Sequence, residues 1–209
     1  MPYFKPWVGA NYRSSRPRIL VIGDSHYCAD PCPIPGMCGV RGNLPPERMG
    51  RCQNFTQSVT LRYLDSCAGR AEMEGWMSRT YRSFEKMLLG KDDVSTAESL
   101  RIWNEIAFYN FVQTAASQEP SNDNYTTEDY NRSTPFAAQV MDELQPDIIL
   151  VWGAKAYNKL PDANWTHVSD CCVDYTLAGG KVARCVKLTH PSRASFASEH
   201  QKIVSLVKL

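Results

Sequence analysis

The chain has 209 residues, 43% hydrophobic and 22% charged, with 23 lysines and arginines against 22 aspartates and glutamates for a formal charge of +1. That length suits one well-cored domain. The composition excludes a disordered or fibrous chain, and the near-neutral balance excludes binding driven by bulk charge alone. No segment reaches the roughly 20 apolar residues of a membrane span, and the first residues carry no apolar leader, so a cytoplasmic protein without membrane contact is expected, read as a monomer. In a reducing compartment the eight cysteines are expected as thiols or metal ligands rather than disulfides.

Residues 1–17, rich in proline and aromatics, read as an arm packed on the domain. The apolar run Ile19 to Ile22 then predicts a strand buried on both faces, which passes directly into Gly23, Asp24, Ser25, His26 and Tyr27. Polar side chains at a strand's carboxyl end occupy the place where open α/β sheets bind ligands. Residues 29–52 hold five prolines and four glycines, a loop long enough to need a function or a staple. Helical spacing returns from Asn54 to Gly69, and again over Trp76 to Leu89 before Gly90.

Ile106 to Val112 predicts a second strand, and Gln118 to Ser133 a polar surface loop. Thr134 caps a predicted helix from Pro135 to Leu144. Asp147 to Gly153 is a third buried strand, with a helix starting at Ala154. Cys172 to Leu177 and Val182 to Leu188 flank Gly179 and Gly180 as a hairpin, the second arm being the last core strand, and Ser195 to Val207 forms a terminal amphipathic helix. The pattern predicts one α/β domain over residues 1–209: three layers, α/β/α, around a mainly parallel four-stranded central sheet with one antiparallel addition.

Two polar loops, GDSHY after the first strand and THPSR after the last, fall at the same sheet edge, and a pair there marks a site better than either alone. Together with AFYN ending at Asn110 and IILVWGAKAY (Ile148 to Tyr157), they resemble the uracil-DNA glycosylase superfamily in type and order. The resemblance implies strand order two-one-three-four and hydrolysis of a base–sugar bond in nucleic acid or a nucleotide. It implies that His190 stabilises the departing base, that Asn110 reads the base edge, that Phe55 stacks on it and that Tyr27 excludes thymine's methyl group. Ser25 stands where that family carries its water-orienting aspartate, so Ser25 lines the base pocket and Asp24 takes the catalytic carboxylate's role.

Ser192 and Arg193 are the implied phosphate contacts. Ala194 replaces the family's leucine wedge, so the implied partner is single-stranded DNA, an altered base or a nucleotide rather than intact duplex. The chemistry fits these residue types, because cleavage leaves negative charge on the base and positive charge on the sugar, requiring a donor, a carboxylate and a stacking face. Phe55 as helix core and Asn110 as a strand-end cap are the structural alternatives.

Cys28, Cys32, Cys38 and Cys52, separated by three, five and thirteen residues, can clamp a structural zinc ion in the long loop, ahead of an iron–sulfur cluster or plain thiols. No organic cofactor is expected. Two other functions compete. One is a non-catalytic nucleotide- or nucleic-acid-binding member of the same fold. The other is an SGNH (GDSL-type) esterase with Ser25 as nucleophile and His190 as base, although Lys187 stands where that family orients its histidine with an aspartate.

Overall fold

A computed structural model describes residues 2–27, 52–116, 125–161 and 165–207. Seven strands form one mixed sheet in the order β1-β4-β2-β6-β9-β8-β7. They are β1 (Trp7–Val8), β2 (Ile19–Gly23), β4 (Ile106–Asn110), β6 (Ile148–Trp152), β7 (Trp165–Ser169), β8 (Cys172–Thr176) and β9 (Val182–Leu188). A separate parallel pair joins β3 (His26–Tyr27) to β5 (Ala115–Ala116). The expected four-stranded, mainly parallel sheet and the glycosylase-like fold class built on it are therefore corrected. Four parallel strands do lie inside, ordered β4-β2-β6-β9. They are widened by antiparallel β1 on one side and by the antiparallel β8 and β7 on the other. β1 is only two residues of the arm, and β7 is too polar and exposed to show an apolar pattern.

Helices cover both faces: α1 (Phe55–Cys67), α2 (residues 75–89), α3 (Thr96–Glu105), α4 (Thr127–Leu144), α5 (Ala154–Tyr157) and α6 (Phe196–Val207). β2 and β6 are buried along their whole length because each face meets a helical layer. Ile19, Val21, Leu150 and Trp152 pack with α1, α2, α3 and α6, while Leu20, Ile22, Ile149 and Val151 pack with α4 and α5. No helix among the described residues is long and apolar enough to cross a membrane.

Two helices depart from the expectation. α4 starts at Thr127 rather than Pro135, because Thr126 and Asp129 form a capping box and Tyr130 and Ser133 turn inward. Pro135 sits inside it, where the Ser133 and Thr134 hydroxyls donate to the Asp129 and Tyr130 carbonyls. α2 carries a π-helical segment, Ser78–Arg82, between α-helical Gly75–Met77 and Ser83–Leu89. Such insertions shift side chains around the axis and recur at functional sites.

Candidate functional site

Because β4, β2, β6 and β9 are parallel, their carboxyl ends share one edge, carrying Asn110, Asp24, Gly153 and the loop after Leu188. Gly23 pairs with Asn110 across β2 and β4. A side chain at Gly23 would collide with the Asn110 amide oxygen and the Phe108 ring, so glycine is what lets the Asn110 amide lie across the strand end. No hydrogen bond among the described residues engages that amide, so it has donors and an acceptor to offer a ligand. Alternation along β4 places Asn110 on the Phe108 side of the sheet, the side that also holds Trp152.

His190 follows β9 and is set by local bonds. Thr189 is tied to the buried carboxylate of Glu199 on α6 by its N–H (3.2 Å) and hydroxyl (2.8 Å). The Ser192 N–H donates to His190 Nδ1 at 3.3 Å, and the Ser192 hydroxyl lies 2.9 Å from the same nitrogen. A nitrogen that accepts from a backbone N–H carries no proton, so neutral His190 is the Nε2–H tautomer. Burial, with the Arg193 charge adding to it, lowers its pKa to about 4, so the ring is neutral at ordinary pH. Its ring stands 6.0 Å from Trp152, whose buried indole N–H has no partner among the described residues. His190 is thus a neutral, oriented donor.

Asp24 is held from the opposite layer. Its Oδ1 accepts from the Tyr130 hydroxyl on α4 at 2.8 Å, and it makes no ion pair among the described residues. Burial raises its pKa, opposed by the Tyr130 bond, the Lys155 charge and Ser25. The base-side groups, Asn110 and His190, and the carboxylate therefore approach the edge from two sides. β2 and β9 are separated by β6, and strand spacing puts their ends about 10 Å apart. Among the described residues no hydrogen bond joins Ser25 to His190, and no carboxylate orients that ring.

His26 is core rather than site. Its Nδ1 donates to the Val112 carbonyl at 3.1 Å, its Nε2 accepts from Thr56 at 2.8 Å, and burial lowers its pKa to about 3. The Tyr125 hydroxyl donates to the His26 carbonyl, closing the loop's other side. Tyr27 is half-buried with its ring against Tyr125. Phe55 is half-buried, its ring edge-on to Phe4 and His26, and Thr56 ties it to the GDSHY loop. The structure thus groups Asp24, Ser25 and Asn110 at adjacent strand ends, with Phe55 and Tyr27 beside their loop and His190, Ser192 and Arg193 across β6. Ser192 and Arg193 are exposed, while Ala194 packs on the core.

Three of the four candidate metal ligands, Cys28, Cys32 and Cys38, lie outside the described residues. Cys52 is half-buried against the small cluster of Phe4 and Ala115. Among the described residues no three His, Cys, Asp or Glu side chains converge to hold a metal. The sequence did not reveal Tyr130, Lys155 or Trp152 as site residues. The first lies in a stretch with a loop's composition, and Trp152 reads as strand core.

No family model matches the chain, and no curated protein does. Among solved structures it is similar to a domain of unknown function (DUF1537) from Bordetella bronchiseptica, a domain-swapped dimer with bound citrate. The identity is 10% and the TM-score 0.31, over 87% of this chain and 40% of the other.

Proposed function

We propose that the protein hydrolyses the base–sugar bond of an unstacked nucleobase, in single-stranded DNA or a nucleotide. One observation carries the reading: His190 is a neutral Nε2–H donor, fixed by Ser192, at the edge where no hydrogen bond among the described residues engages the Asn110 amide. The N–H stabilises charge developing on the leaving base, which a neutral imidazole does without losing its proton. The Asn110 amide, with one acceptor and two donors, reads the base edge. Asp24, approaching from the α4 side, positions water at the sugar opposite the departing base, and Tyr130 fixes its angle. In this reading Phe55 stacks on the base, Tyr27 screens it and Ser25 lines its pocket.

Ala194, packed on the core, supplies no wedge into a duplex, which favours an already unstacked substrate. Thiols at Cys67, Cys171, Cys172 and Cys185 suit a reducing, cytoplasmic setting. The spacing of Cys28, Cys32, Cys38 and Cys52 supports a structural zinc; no step of the reaction runs through it. The test is release of free uracil from a single strand by wild type and by Asn110→Ala. The wild type should release it and the variant should be slower by about 100-fold. A wild type that leaves uracil and other altered bases attached overturns the reading.

A further inference from the structure

The π-helical segment of α2, Ser78–Arg82, packs against the short Pro191–Arg193 turn that follows His190. Two residues before it, Trp76 is 39% exposed. An exposed indole usually samples several rotamers, and this one is pinned. Its Nε1 donates to Glu74 Oε2 at 2.6 Å, the other Glu74 oxygen pairs with Arg62 at 2.5 Å, and Tyr81 meets its ring edge-on at 6.1 Å. Beside it the Arg79 guanidinium lies 3.5 Å from where a Gly75 side chain would begin, at ordinary van der Waals distance from that helix turn. Arg79 and Arg193 are both exposed, and neither has a carboxylate partner among the described residues. Beneath this surface the rings of Trp76, Tyr81, Trp152 and His190 follow one another at 6.0 to 6.4 Å, with Tyr81 and Trp152 buried, so the core fixes Trp76 relative to the site.

We infer that Trp76 and Arg79 form a single-strand track leading from His190, on which the indole face stacks a flanking base and Arg79 and Arg193 hold the phosphates between. A pre-oriented aromatic face with unpaired guanidiniums suits a polyanion that carries stackable rings, and stacking of this kind tolerates any base. The track rests on the reading of the His190 edge as a nucleobase pocket, and supplies the contact to nucleic acid that Ala194 cannot.

The test is binding, not turnover. A labelled uracil-free oligothymidylate of about 12 nucleotides and thymidine monophosphate are compared by anisotropy on the full chain. Wild type should prefer the oligomer. Trp76→Ala should lose about tenfold in oligomer affinity, Trp76→Phe should keep most of it, and Arg79→Ala should flatten the salt dependence by about 0.7 in log–log slope. Oligomer affinity unchanged in Trp76→Ala, or no preference of wild type for the oligomer over thymidine monophosphate, overturns the track. Trp76-dependent oligomer binding with no base release from uracil-containing strands upholds the track and overturns the catalytic reading instead.

Discussion

Lowering the pH below 6.5 destabilises this fold through His26, the buried ring that fastens the GDSHY loop. In the folded chain its pKa is about 3, because burial disfavours the imidazolium. Above pH 6.5 folded and unfolded chains both hold it neutral. Below that, the unfolded chain takes up a proton that the folded chain refuses until about pH 3, so stability falls by about 1.4 kcal/mol per pH unit. The full window is worth about 5 kcal/mol, and about 3 kcal/mol is lost by pH 4.5, a large part of a typical domain's stability. Urea unfolding of wild type and His26→Asn at several pH values isolates the effect, since every other titrating group is shared by the two proteins. The variant starts about 2 kcal/mol less stable, having lost the Thr56 bond and the ring packing on Phe4. The gap should close near pH 5 and reverse by about 1 kcal/mol at pH 4.5. Parallel profiles for the two proteins would refute the assignment.

Asp24→Asn should slow base release by at least about 100-fold yet raise the melting temperature, because burial makes the ionised carboxylate costly and the amide oxygen still accepts from Tyr130. Tyr130→Phe removes the bond that favours ionised Asp24, so the acid limb of the pH–rate profile should move to higher pH. Gly23→Ala should cost about 1–3 kcal/mol in denaturant unfolding and weaken discrimination between bases, since the methyl displaces the Asn110 amide. Metal analysis should find about one zinc per chain, lost in Cys28→Ser; less than about half an equivalent in wild type removes the clamp.

The inner strands were legible because burial on both faces leaves unbroken apolar runs, as in Ile19 to Ile22 and Ile148 to Val151. The Ser192–His190 bond was within reach for the same local reason: its partners are two residues apart. Long-range partners were not. Tyr130 meets Asp24 across 106 residues from a polar stretch whose helix start rests on a Thr126–Asp129 capping box rather than on apolar spacing. β7 escaped because residues 166–168 are exposed, and its place is fixed by pairing with β8 alone. His26 shows the opposite error. A histidine among Asp24, Ser25 and Tyr27 looks chemical, but Val112 and Thr56 absorb both ring nitrogens, and only the fold reveals them.

His190, as the donor to a departing base, is the centre of the proposed reaction. Single-turnover release of uracil from a uracil-containing single strand, by wild type and His190→Ala side by side, measures that directly. Wild type should release uracil and the variant should lose about 100- to 1,000-fold, the cost of one oriented donor to a developing anion. Equal release by the two proteins, or none by wild type, would contradict it.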